Sequence, residues 1–183
     1  TLTQSDVGSA ITVSVAFTDD LSTSESATSA ATAAVANVND DPTGSVTITG
    51  TAQEDEALGI ATSLMGDEDG LGTFSYQWNR AGTAISGANG LVYTLTQSDV
   101  GSAMTVTVSY NDGEGTAESV VSAATSAVAN VNDAATVAIS GTATEDQTLT
   151  ATVTDEDGLG TITYTWARAG TAVSGATSST YTL

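Results

Sequence analysis

Residues 1–10 read TLTQSDVGSA, and residues 94–103 repeat the same ten letters. The tetrapeptide NVND stands at 37–40 and again at 130–133, so two separate markers give one period of about 93 residues. Aligned directly, roughly 28 of the first 40 residues match 94–133. DEDGLGT at 67–73 recurs at 155–161; the offset falls to 88 there because the third copy is shorter near its start. Self-similarity of this kind restricts a chain to units stacked one on the next.

The repeats are out of phase with the chain ends. Residues 41–133 make one complete repeat, 1–40 the tail of another and 134–183 the head of a third. Tyr181-Thr182-Leu183 matches Tyr93-Thr94-Leu95, and the chain opens on Thr1-Leu2, as in a window cut from a continuing array. No signal peptide opens the chain. The tail and the head of one chain are expected not to meet. A complete repeat roughly 40 Å long, at about 3.3 Å per strand residue, stands between them. Each fragment is therefore expected to complete a neighbouring repeat, head to tail. Covalent continuity is favoured over strand exchange between separate subunits.

The local pattern is all β, in short alternating runs broken by Gly, Asp and Asn. In the complete repeat Val46 and Ile48 mark strand A, and Leu58, Ile60 and Leu64 strand B. Phe74, Tyr76 and Trp78 mark strand C, and a short strand follows near Ile85. Leu91, Tyr93 and Leu95 mark E, Met104 to Tyr110 mark F, and Val120 to Val128 mark G. Ile162, Tyr164 and Trp166 repeat strand C, and Ile11 to Phe17 repeat strand F. The Ala-rich stretch 27–36 admits a helix, but its Ser and β-branched content favours an edge strand. Seven strands around a mid-domain Trp predict tandem immunoglobulin-like Greek-key β-sandwiches arranged end to end. Trp78, Trp166, Tyr93 and Tyr181 are expected in cores. Pro42, the single proline, falls at the repeat boundary, where it costs no ladder hydrogen bond.

Twenty-two acids face only Arg80 and Arg168, a net charge of −20 with no Lys, His or Cys. Such a surface repels the phosphates of nucleic acid and anionic membranes, and favours divalent cations. Without Cys, the small domains must be held by packing, repetition or metal. Without His, Cys or Lys the usual catalytic bases and nucleophiles are reduced to Ser, Thr and carboxylates, the acids recur in repeat copies and suit architecture better than one active cleft, and no enzyme is expected. No apolar run approaches the roughly 20 residues that cross a membrane.

Tyr93-Thr-Leu-Thr-Gln-Ser-Asp99-Val-Gly101 resembles the corner between strands E and F of immunoglobulin-type domains, and Tyr76-Gln77-Trp78 resembles their strand C tryptophan. The two cysteines of antibody domains are missing. Across nearly all 183 residues the motifs resemble the repeats of giant secreted bacterial adhesins. The resemblance implies an extracellular, cell-surface or biofilm role with calcium-stiffened spacing, and it names no adhesion ligand. Asn37-Val-Asn39-Asp40-Asp41-Pro42 also resembles the calcium linker between cadherin domains. The second linker, Asn130 to Ala135, lacks the second Asp and the Pro, so a weaker site or none is expected there.

Eighteen of the acids fall in clusters or linkers, a pattern suited to calcium, which takes six to eight oxygens. The sandwich topology places Asp67, Asp69, Asp112 and Glu114 near the first linker, with Asn37, Asn39, Asp40 and Asp41. It places Glu54, Asp55 and Asp99 near the second, with Asp133 and the loop residues Asp155 and Asp157. Bound calcium would turn repulsion at each seam into a strut. The alternative is that these acids simply cap polar turns. The DEDG runs are not EF-hands, since the twelfth position from Asp67 is Trp78, where a bidentate Glu is required. The repeated Arg that ends strand C suggests an ion pair, Arg80 with Asp99, over a metal role for Asp99 or its counterpart Asp6.

Overall fold

The computed structural model describes all 183 residues. The strands are β1 (Ser14–Thr18), β2 (Ser24–Thr28), β3 (Thr47–Thr49), β4 (Ala57–Ala61), β5 (Ser75–Arg80), β6 (Thr83–Ala84) and β7 (Val92–Thr94). They continue as β8 (Met104–Asn111), β9 (Ala117–Val121), β10 (Thr136–Ser140), β11 (Thr148–Thr154), β12 (Ala167–Arg168), β13 (Thr171–Ala172) and β14 (Thr180–Thr182). Every ladder between them is antiparallel. The only helical turns are 3₁₀, at Gln4–Asp6 and Gln97–Asp99. The Ala-rich stretch carries the end of β2 and isolated bridges at Ala34 and Val35, with no helix.

The complete repeat holds two sheets, ordered β3-β4-β7 and β6-β5-β8-β9. Strand β8 alternates buried and half-buried residues from Met104 to Tyr110, because the pleat sends successive side chains to opposite faces and the apolar ones fall on the inner face. Both sheets feed one core: Val46, Leu58 and Leu95 from one side meet Trp78, Met104, Val106, Val108 and Tyr110 from the other. This is the packing of a β-sandwich. Trp78 is fully buried, and its Nε1–H donates to the carbonyl of Gly90 at 2.9 Å, so its one polar atom is satisfied. Leu64, expected on β4, lies beyond it and is exposed, because the chain turns at Thr62–Met65.

The two partial repeats keep the local geometry and lack the core. Trp166 and Tyr181 stack as Trp78 and Tyr93 do, with centroids 5.4 and 5.8 Å apart and planes 30° and 31° apart. Residues 134–183 form β10-β11-β14 and the small β12-β13 hairpin. Strand C, expected across Ile162 to Trp166, shrinks to Ala167–Arg168. Its counterpart β5 pairs over six residues with β8, and 134–183 contains no such partner. Residues 1–40 supply the β1-β2 hairpin, exposed along both strands. No strand pairing or side-chain hydrogen bond joins residues 1–40 to 134–183.

Candidate functional site at the repeat junctions

The seam between the complete repeat and residues 134–183 starts from a tight turn. Asp55 adopts φ +64, and this turn aims Glu54 at the linker. The carboxylate of Glu54 is almost wholly buried. It accepts the N–H of Val131 at 3.1 Å. The Gln97 amide faces only acceptors, and exchanging its oxygen and nitrogen lets it donate to the two Glu54 oxygens at 2.7 and 3.0 Å. The Gln97 amide also reaches Asn130 Oδ1 at 3.2 Å. Across the linker, Asp133 N–H donates to Asp157 Oδ2 at 2.7 Å, and Asp157 N–H donates to Asp155 Oδ1 at 3.0 Å. These bonds fold the 155–158 turn so that Glu156 points back to the seam. Carboxylate oxygens of Glu54, Asp133 and Glu156 lie within 4.8 Å of one another.

Two of those three, Glu54 and Asp133, belong to the expected metal set. Glu156 does not: the sequence reading chose its neighbours Asp155 and Asp157. Asp157 is engaged by the linker N–H and Asp155 by the turn, which leaves the middle acid as the free one. Asp55 is exposed and forms the turn. The linker expected to be the weaker one is therefore where acids converge.

At the first linker the loop acids are stitched by hydrogen bonds. Asp69, almost wholly buried, accepts Gln4 Nε2 at 2.8 Å and Asp40 N–H at 2.7 Å. Asp67 accepts Asp69 N–H at 2.9 Å and the Tyr110 hydroxyl at 2.6 Å. Burial, reinforced by that bond to Asp67, pushes the Tyr110 phenol well above its ordinary value. Asp112 Oδ1 accepts the N–H groups of Glu114 and Thr116 at 3.0 and 2.7 Å, while its Oδ2 is buried without a partner. Asn37 Oδ1 is likewise buried and unpartnered. Asn39 donates to Glu118 at 2.8 Å, and Asp41 is exposed. No three carboxylates converge at this linker, in contrast to Glu54, Asp133 and Glu156. The counterpart of Glu54 would precede residue 1, so only Asp40 and Glu68 of the matching three are present. Gln4, the counterpart of Gln97, turns to Asp69 instead.

The Asp99 carboxylate is taken up within the complete repeat. Its Oδ1 accepts Arg80 Nε at 2.7 Å, and its Oδ2 accepts Tyr93 OH, Thr96 N–H and Thr96 Oγ1 at 2.8 to 3.0 Å. Burial alone would raise its carboxyl, but the Arg80 guanidinium and the Thr96 and Tyr93 donors outweigh that and hold it below its ordinary value.

Comparison with protein-family models, curated proteins and solved structures gave no match to this chain. No helix is long and apolar enough to cross a membrane.

Proposed function

We propose that the chain is a run of extender units in a secreted bacterial adhesin or extracellular fibre. The units are immunoglobulin-like Greek-key sandwiches of about 93 residues, stacked end to end and stiffened by calcium at their seams. The sheet orders β3-β4-β7 and β6-β5-β8-β9 support the topology, since the chain crosses repeatedly between two antiparallel sheets around a buried Trp. The role is mechanical and not catalytic: reach, with a ligand-binding end carried elsewhere.

The observation that carries this reading is the convergence of Glu54, Asp133 and Glu156. They come from a loop of one repeat, the linker, and a loop of the next. Three carboxylates that close repel one another, and an all-oxygen donor set suits a hard cation such as calcium. Bound there, the cation supplies the positive charge that ties two units together.

The test combines melting and small-angle scattering of the chain in millimolar calcium and again after chelation. Calcium is expected to raise the melting temperature and lengthen the particle. If neither quantity responds, the calcium strut is lost.

A further inference from the structure

Four acid or amide residues in the chain are followed directly by glycine: Asp69-Gly70, Asn89-Gly90, Asp112-Gly113 and Asp157-Gly158. Glycine has no Cβ, so it leaves its own backbone nitrogen open to the side-chain carbonyl of the residue before it. In the three Asp steps that nitrogen is held. Gly70 N–H donates to the carbonyl of Asp67, Gly113 N–H to that of Asp69 and Gly158 N–H to that of Asp155, at 3.2, 3.0 and 3.2 Å. Gly90 N–H has no acceptor in the chain. Asn89 is exposed, whereas Asp69 and Asp112 are buried. A neutral amide is also a better electrophile than a carboxylate. Every other asparagine is followed by Val, Asp or Arg, whose side chains obstruct the approach.

The Asn89–Gly90 step lies between two hydrogen bonds from one core residue. Trp78 donates its backbone N–H to the carbonyl of Ala88 and its Nε1–H to the carbonyl of Gly90, both at 2.9 Å. Residues 134–183 repeat this clamp: Trp166 donates in the same way to Ala176 at 3.3 Å and to Ser178 at 2.9 Å. Thr177 and Ser178 stand there in the places of Asn89 and Gly90, so the clamp is kept without an amide or a glycine.

We infer that Asn89–Gly90 is a self-modifying step, which turns to isoaspartate and loosens the clamp on Trp78. The Gly90 nitrogen attacks Asn89 Cγ and closes a five-membered imide. The Cγ–Nδ2 bond breaks, and ammonia leaves with the proton of the glycine nitrogen. Water then opens the imide. Opening at Cγ gives aspartate; opening at the main-chain carbonyl gives isoaspartate, with the chain routed through Cβ. Either product adds a negative charge to a chain already at −20. Isoaspartate also inserts one carbon into the main chain between the carbonyls of Ala88 and Gly90. The rigid Trp78 side chain fixes the separation of those two acceptors, so one bond is lost, and a buried indole N–H without a partner is destabilising. The reaction needs no metal and no neighbouring repeat, so it goes beyond the extender reading and does not rest on it.

The 183-residue chain is incubated at mildly alkaline pH, folded and in urea. Peptide mapping with isoaspartyl methyltransferase labelling follows each site. Asn89 is expected to convert first in the folded chain, mainly to isoaspartate. The three Asp-Gly steps are expected to react at least about fivefold more slowly folded than in urea, because each must first release its glycine N–H. Asn89→Thr, which copies Thr177, is expected to fold as the wild type does and to show no change at that position. The isoaspartate form is expected to melt at least about 4 °C below Asn89→Asp, which carries the same charge on an ordinary backbone. An Asn89 that converts in urea and stays intact in the folded chain overturns the proposal, as does another asparagine that converts before it. An isoaspartate form that melts together with Asn89→Asp overturns the loosened clamp.

Discussion

Arg80 Nε lies 2.7 Å from Asp99 Oδ1, and the carboxylate it meets has no exposed surface. Asp99 thereby joins the end of β5 to the turn before β8 and to Tyr93 at the end of β7. One buried ion pair clamps both sheets. Removing the arginine leaves the Asp99 charge buried without its cation, whereas Arg80 is itself 32% exposed. Arg80→Ala is expected to destabilise the complete repeat by about 3–5 kcal/mol in chemical denaturation.

The Asp99 carboxylate sets an acid dependence. Its folded-state pKa lies below the ordinary 3.8, so its contribution is fully present above that value and is lost as pH falls through the lower folded value. The stability gap between the wild type and Asp99→Asn is expected to be constant near neutral pH and to narrow below about pH 4. Denaturation series at several pH values measure it; a gap that widens in acid would contradict the sign.

Glu156 is the least buried member of the seam triad and makes no side-chain hydrogen bond, so its loss costs little in the absence of metal. Glu156→Gln is expected to leave the melting temperature in chelator within about 2 °C of wild type, corresponding to less than ~0.5 kcal/mol. It should remove most of the rise produced by calcium. A site saturated at a hundred times its dissociation constant contributes about 2.7 kcal/mol, well above the resolution of calorimetry.

Two glycines separate conformational strain from steric collision. Gly50 has φ +106, and a Cβ there would sit 2.5 Å from the carbonyl oxygen of Ala57, on the paired strand β4. Gly101 has φ +77 with open space around it. Gly101→Ala is expected to cost about 1 kcal/mol, the left-handed penalty alone. Gly50→Ala adds a backbone clash and is expected to cost at least about 3 kcal/mol. Parallel melts of the two variants decide between them.

Val108 and Val15 occupy one place in the repeat, buried in one copy and 52% exposed in the other. Val108→Ala is expected to destabilise the complete repeat by about 2 kcal/mol. Val15→Ala should change that transition by less than ~0.5 kcal/mol, since Val15 lies outside the core of the complete repeat. Urea unfolding of the two variants checks both halves of this prediction.

Repeat phase, strand order along the chain and the identity of the core were legible in the letters, because alternation and Gly or Asp turns are local signals. Trp78, Val106 and Val108 could be placed inside from period alone. The Arg80–Asp99 pair was legible for a different reason: a chain with two cations, both ending the same strand, leaves few partners to choose from. Glu156 was not legible. All three acids of Asp155–Asp157 look alike in sequence, and only the turn decides which two bind backbone N–H groups and which one is left facing the seam.

The sequence by itself determined the period, read from identical letters 93 residues apart, and the β character, which depends on neighbours a few residues apart. Tertiary structure alone decided which acids converge. Convergence of Glu54 with Asp133 spans nearly a whole repeat, and its geometry is fixed by the packing of two sheets.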